Sequence, residues 1–397
     1  MPARTCVIWG PEFTRYDFGD GHPMAPIRID LTARLCESFG VFDGIEVIDP
    51  GVADDDLLAT VHDRDYIAAV RRASEDPEHG ADPARGLGTE DVPVFRGMHE
   101  ASARLAAGTR IAAERVWTGA TEHAVNFTGG MHHAMPDRAS GFCVYNDVAI
   151  GIQWLLDQGV ERVAYVDVDV HHGDGVEKIF WDDPRVLTCS VHQNGRTLFP
   201  GTGWPGDIGG AGAEGTALNV ALPPGTTDSQ WLRAIQSTVG QVVRDFAPQV
   251  LVTQHGCDSH MDDPLAHLAI SVDAQRYAMD VLHRLAHEAA GGRWIAVGGG
   301  GDEVVQGVPR SWAHLGAGSR HEPIHVSTPT PQAWRDQVHE LTDQDAPTRM
   351  GDLPPGEWPI WVQPWEMGYN PHSEVDRAIM ATRQSVFPLH GMDPYFG

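Results

Sequence analysis

The chain has 397 residues, 42% of them hydrophobic, with 28 lysines and arginines against 55 aspartates and glutamates, for a formal net charge of -27. That length holds one large domain or two ordinary ones. So negative a field argues against a nucleic-acid backbone as partner, although codon bias or salt adaptation of the surface accounts for it equally well. No apolar run approaches a membrane span. The opening MPARTCVIWG lacks the apolar stretch and small-residue cleavage site of a signal peptide. Five scattered cysteines, with no CxxC pair, fit a reducing compartment, so a cytoplasmic location is expected.

In chain order, short β-branched and apolar runs predict strands at 5–10, 123–127, 162–170, 186–192, 218–222, 249–255 and 293–300. Helical patterns between them include 99–119, 148–159, 228–246 and 274–290. Several strands are apolar on both faces, as interior strands of a helix-covered parallel sheet must be. The alternation predicts a three-layer α/β domain with a central, mainly parallel sheet. Residues 76–97 and 193–217 are rich in Gly, Pro and Asp and read as long loops, which in a compact domain are usually functional. There is no internal repeat. The body is expected to span 1–320, with 321–397 a Pro- and Trp-rich extension packed back on it through a helix near 373–386.

Ligands of open α/β sheets collect at the carboxyl ends of the strands. The strand 162–170 runs into DVDVHHGDG. Side chains two apart on a strand share a face, so Asp167, Asp169 and His171 are expected on one side and valines on the other. Two uncompensated carboxylates there would cost several kcal/mol or protonate, and the one lysine of the chain, Lys178, lies beyond them. A cation makes the arrangement reasonable. Asp169 and His171, with Asp258 from the loop after 249–255, suit a catalytic Zn²⁺ or a similar divalent ion with an open position. His260, two residues on, is a loop histidine by default and a further ligand only by proximity.

A second cluster, NFTGGMHHAMP at 126–136, places His132 and His133 behind a Gly-Gly turn at another strand end. Adjacent histidines facing a metal are general acid–base candidates. Each needs a partner to fix its tautomer, and Asp167 and Asp174 are the spare carboxylates.

The stretches GGMHHA, GFCVYNDVAIGI, YVDVDVHHGDGVEKIFW, LFPGTG and GGGG resemble, in order and spacing, the zinc-dependent histone deacetylase family. YDFGDGHPMAPIRI and GTEDVPVFRGMHEAS match as well, and the resemblance covers about residues 10 to 315. HAVNFTGGMHHAMP and VPRSWAHL look most like its bacterial acetoin-utilisation branch. The resemblance implies an arginase/deacetylase-type fold and one Zn²⁺ on Asp169, His171 and Asp258. It makes His132 and His133 the tandem catalytic histidines, partnered by Asp167 and Asp174. Gly141, Phe142, Phe199 and Leu265 match residues of a narrow acyl-lysine tunnel, and Asp91 matches a rim carboxylate that grips the substrate backbone. A monovalent cation, K⁺, is implied on Asp167, Asp169, Ser190 and the carbonyls of His171 and Val191. The implied partner is an acetylated metabolic protein such as an acyl-CoA synthetase.

One position departs from that pattern. Where the family's glycine run is followed by a tyrosine that hydrogen-bonds the reaction's oxyanion, this chain has Asp302. An ionised carboxylate cannot donate. Three readings stand: the carboxyl swings away, leaving an impaired enzyme; it is held protonated or joins the metal; or the protein binds acyl-lysine without turnover. The competing functions are a small-molecule amidohydrolase acting on acetylated polyamines and a two-manganese ureohydrolase. The second would need a carboxylate where His260 stands.

Overall fold

The runs that are apolar on both faces form one sheet. The computed structural model describes residues 5–354 and 356–396; residues 1–4, part of the stretch scanned for a signal peptide, fall outside, as do residues 355 and 397. The strands are β1 (Thr5–Ile8), β2 (Glu46–Ile48), β3 (His123–Asn126), β4 (Val163–Asp167), β5 (Val186–Gln193), β6 (Ala217–Leu222), β7 (Val250–Gln254) and β8 (Trp294–Val297). They lie in the order β2-β1-β3-β8-β7-β4-β5-β6, and every neighbouring pair is parallel. The helices are α1 (Ile27–Ser38), α2 (Asp55–Leu58), α3 (Arg64–Glu75), α4 (Met98–Trp117), α5 (Asp147–Asp157), α6 (Asp174–Ile179), α7 (Asp228–Phe246), α8 (Val272–Ala289), α9 (Val308–Ser319), α10 (Gln332–Thr342) and α11 (Glu374–Val386).

The two faces of the sheet bury different residues. Val163 and Tyr165 of β4 join the core under α3, α4 and α5. Ala164 and Val166 join the core under α7, α8, α9 and α11. A side chain of Val size contributes about 1.5–3 kcal/mol when fully buried, which is what holds the β4 end in place despite the charges that follow it. α7 shows how the sequence sets a helix. Thr227 and Gln230 form a capping box at its start, and Trp231, Ile235, Val239 and Val242 repeat at helical spacing on its buried face.

The strand expected over 162–170 is shorter. β4 stops at Asp167, so Asp169 and His171 sit on a bend and not on a continuous ladder. The cause is local: Asp167 Oδ1 accepts the Asp169 N–H at 3.1 Å and Asp169 Oδ1 accepts the His171 N–H at 2.9 Å, so side chains take the donors a ladder would use. The valines still turn away from the site, with Val166, Val168 and Val170 buried together. β2 was not foreseen; it is a three-residue edge strand with two exposed positions and no alternation to read.

The segment beyond residue 320 lies against the rest of the molecule. Trp334 of α10 is buried and donates to the Leu31 carbonyl at 3.0 Å. α11 covers the edge strand β6 and is tied to α7 by the buried Arg233–Asp376 pair, 3.0 Å apart. Asp352 ties the same segment to α9 through Arg310 at 2.6 Å and to the loop after β7 through His260 at 3.1 Å.

Buried neutral histidines make the fold acid-labile. Burial pushes His62 down to about 4 and His255 and His314 down to about 3. The unfolded chain takes up these protons near its ordinary value of about 6.5 while the native state does not, so stability is full above that pH and falls below it. Each is expected to lose about 2 kcal/mol on going to about pH 5, at roughly 1.4 kcal/mol per unit. Denaturant midpoints measured at two pH values check this, and His62→Gln is expected to flatten the slope. His62 also orders the site, because Nδ1 donates to Met135 O at 3.0 Å and Nε2 accepts from Asn146 N at 2.9 Å.

Candidate metal centre and active-site cavity

The loops after β3, β4, β7 and β8 meet at the carboxyl edge of the sheet. They line a cavity of about 280 Å³ that also takes residues from the loop after β5 and from the N-terminal loops. Around it stand Asp91, His132, His133, Gly141, Phe142, Asp169, His171, Phe199, Asp258, Leu265 and Asp302. Of the expected site residues, Asp167, Asp174, Ser190 and Val191 lie behind this wall.

At its floor Asp169, His171 and Asp258 each offer a ligand atom within 4.8 Å of the others. His171 Nδ1 lies 3.2 Å from Asp169 Oδ1 and 3.0 Å from Asp258 Oδ2. Both carboxylates are fully buried, at 0% and 1% exposure. Asp169 is further held through Oδ2 by Gln254 Nε2 at 2.7 Å and Gly300 N at 2.9 Å, and Asp258 through Oδ1 by Val170 N at 2.9 Å. Burial and the charge of Asp169 push the Asp258 carboxyl well above the usual range. Against the downward push of burial, the two carboxylates raise the His171 imidazole. Two buried acids gathered on one imidazole, with no Lys or Arg among their hydrogen-bond partners, form a donor set that fits a divalent cation.

Beside them is a charge-relay pair. His132 Nδ1 donates to Asp167 Oδ2 at 2.7 Å, which Tyr165 Oη also reaches at 2.7 Å. His133 Nδ1 donates to Asp174 Oδ1 at 2.6 Å, and the two Nε2 atoms lie 3.1 Å apart. Burial lowers His132, but the charges of Asp167 and Asp169 carry it up to about 9. Burial and the charged His132 push His133 down to about 4. The pair therefore carries one positive charge, on His132, while His133 stays neutral with its one proton on Nδ1. The Gly-Gly turn that delivers it is fixed by Asp147, whose carboxylate accepts from Gly130 N at 3.0 Å and Met131 N at 2.7 Å. Gly130 has φ +100°, and a Cβ there would lie 2.8 Å from the Gly298 backbone.

The walls are apolar. The Phe199 ring stands edge-on to His133 with centres 5.0 Å apart. Gly141, at φ +51°, passes so close that a Cβ would lie 2.5 Å from the His133 ring and 2.8 Å from Phe199. Phe142 itself has φ +68°, a left-handed state that costs a side chain about 1–2 kcal/mol. Tyr16 Oη holds it by donating to its carbonyl at 2.6 Å, and the His22 ring packs 4.7 Å from its own. Asp91 is exposed at the mouth.

Asp302 borders the cavity outside the three-ligand group. Its N–H donates to Asp263 Oδ2 at 2.9 Å. Burial and the Asp263 charge push its carboxyl up to about 6. His260 turns from the cavity to Asp352, so no second carboxylate or imidazole completes a two-metal centre among the described residues. Ser190 stands opposite Asp167 in the ladder, and its Oγ meets His192 Nδ1 at 2.8 Å.

Sequence reasoning missed Arg28, Gln254 and Asp263. Arg28, buried under the cavity, donates to Gly299 O at 3.1 Å and Gly301 O at 2.9 Å and so shapes the glycine loop. It lies in one of the motifs that carried the resemblance, but nothing local marks it as buried.

Residues 22–318 match the family described as Histone deacetylase domain. The chain belongs to the histone deacetylase family. Among curated relatives, it is 42% identical over 313 residues to the acetoin utilization protein AcuC of Bacillus subtilis (strain 168), covering 78% of this chain and 80% of that one. It is 35% identical to the AcuC of Staphylococcus xylosus, covering 79% and 82%. These relatives place it in the acetoin-utilisation branch. The solved structure of an HDAC homolog complexed with SAHA superimposes with a TM-score of 0.81 at 26% identity, over 96% of this chain and 100% of that one. The arginase/deacetylase fold and a deacetylase-type hydrolase are thereby shown.

Proposed function

We propose that the protein is a metal-dependent hydrolase of acyl-lysine amides on proteins. One observation carries this reading: two buried carboxylates and an imidazole converge beside a carboxylate-backed histidine pair, at the floor of a narrow apolar cavity. Asp169, His171 and Asp258 would hold Zn²⁺, with K⁺ behind it on Asp167, Asp169, Ser190 and the carbonyls of His171 and Val191. When bound, the divalent ion polarises an amide carbonyl and a water.

The chain's own groups do the rest. Phe142, Phe199 and Leu265 sheathe an alkyl chain and keep out water, and Gly141 leaves the width for it. Asp91, at the mouth, accepts hydrogen bonds from the substrate backbone. His133, held neutral, takes the proton of the attacking water. His132, held charged between Asp167 and Asp169, keeps a proton in the pair for the leaving amine. The substrate class is acetylated metabolic proteins, an acyl-CoA synthetase being the example the resemblance supplies. Nucleic acid and membrane are not partners on this reading. The free, buried cysteines suit the cytoplasm.

Asp302 favours a second reading, a binder of acyl-lysine without turnover, because it removes a donor from the cavity. Acetate release from an acetyl-lysine peptide and from an acetylpolyamine, before and after chelation, decides among these. Expected is peptide cleavage that chelation abolishes and Zn²⁺ restores. Peptide binding without cleavage, a rate insensitive to chelation, or cleavage of the polyamine alone overturns the proposal.

A further inference from the structure

A second group of metal-ligand side chains lies at the other edge of the sheet, where the parallel strands begin. His123 opens β3, His283 and His287 stand one turn apart near the end of α8, and His321 follows α9. Each offers a ring nitrogen within 4.8 Å of those of the other three. The ring centres of His123 lie 4.6, 5.2 and 5.1 Å from those of His283, His287 and His321. The remaining separations are 5.0 Å for His283–His287, 4.6 Å for His283–His321 and 5.4 Å for His287–His321. Six nearly equal edges describe a tetrahedron. Four imidazoles on one ion, with metal–nitrogen bonds of about 2.0–2.1 Å, would set their ring centres roughly 5 Å apart.

His123 supplies the independent sign of a ligand. It is wholly buried, its Nδ1 donates to Ser319 O at 2.6 Å, and its Nε2 has no hydrogen-bond partner among the described residues. Leaving such an atom unmade costs about 1–3 kcal/mol. The Nδ1–H donation to a carbonyl also fixes the tautomer that leaves a lone pair on Nε2, which is how proteins orient metal-bound histidines. His283 is braced by Trp294, stacked at 4.8 Å and 13°. His283 Nε2 and His287 Nε2 are 3.2 Å apart, close to the separation of about 3.3 Å that two ligands of a tetrahedral ion would have.

We propose that these four histidines form a second metal site, a closed four-nitrogen centre for a divalent ion of the zinc class. Imidazole alone, without carboxylate, selects Zn²⁺, Ni²⁺ or Cu²⁺ over Mg²⁺ or Ca²⁺. Four protein ligands leave no open position, so the site is structural. It ties the start of β3 to the end of α8 and to the point where the chain leaves α9 for its C-terminal segment.

The test compares the full chain with one carrying His287→Ala and His321→Asn. Both histidines are exposed, and Asn tolerates the left-handed conformation of residue 321, which has φ +62°. After equilibrium dialysis against Zn²⁺, metal analysis is expected to find one zinc per chain fewer in the double variant. The cavity ion is common to both and cancels. In Asp258→Asn, Co²⁺ loading is expected to leave the visible bands of a tetrahedral all-nitrogen centre, and these vanish when the double substitution is added. Equal zinc in both proteins, or no tetrahedral Co²⁺ spectrum in Asp258→Asn, overturns the site.

Discussion

Asp258→Asn is expected to lower turnover on an acetyl-lysine peptide by at least about 10³-fold and to empty the cavity of its divalent ion. A metal that polarises a carbonyl supplies several kcal/mol of barrier lowering, and each 1.36 kcal/mol is about tenfold in rate. Asparagine is the informative change because its Oδ1 can still accept from Val170 N, a bond that is 2.9 Å long in the native protein. The backbone therefore stays satisfied, while the charge is lost together with the Oδ2 acceptor that faces His171 Nδ1. Stability moves the other way. Asp258 is pushed well above the usual carboxylate range by burial and by Asp169, so in metal-free protein its ionised form is a burden on the fold. Metal-free Asp258→Asn is expected to unfold at a higher denaturant concentration than metal-free native protein. Added Zn²⁺ then raises the midpoint of the native chain by more than that of the variant, in which the cavity site is lost and only the four-histidine group remains to bind it. Retained rate and retained cavity metal in Asp258→Asn would sink the assignment of the ligands.

That pairing of carboxylates was legible in the sequence because chemistry and periodicity disagree there. A run such as Val163–Val170 is written for a buried strand, and Asp167 and Asp169 in it, with His171 just after it, need a reason. What the run did not carry is the strand's end. Residues 162–170 read as one strand, but Asp167 and Asp169 divert backbone donors to their own side chains and β4 ends at Asp167, with Asp169 held at the cavity by Gln254 and Gly300. The helices that were read are those with long apolar stripes. α3 has such a stripe too, in Tyr66, Ile67, Val70 and Ala73, and was readable on the same terms. The partners of the site, Arg28, Gln254 and Asp263, were not, because each acts through a contact made by the folding of distant segments. The four-histidine cluster lies between these cases. His283 and His287 stand one helical turn apart on the page, but His123 and His321 reach them only through the sheet and the end of α9.

Asp302→Tyr is expected to raise turnover on acetyl-lysine by about 10²–10³-fold, the usual worth of one oxyanion donor. Asp302 borders the same cavity as the three ligands and the histidine pair. Burial and the neighbouring Asp263 push its carboxyl only to about 6, so at neutral pH it is mostly ionised. It then has no proton to donate, and it adds negative charge where a tetrahedral intermediate would develop more. Tyrosine reverses both effects, since its hydroxyl keeps its proton at that pH. Because the gain arises in the transition state, it belongs in kcat with KM little changed. Asp302→Phe separates donation from bulk: it fills the space and removes the charge but cannot donate. The expected order is Tyr above Phe, with Phe at or modestly above Asp. Equal rates for Tyr and Phe would show that only charge or volume matters at this position. No gain in Asp302→Tyr, with acetyl-lysine peptide still bound at native affinity, would leave the oxyanion without a role for residue 302 and move the protein toward binding without turnover.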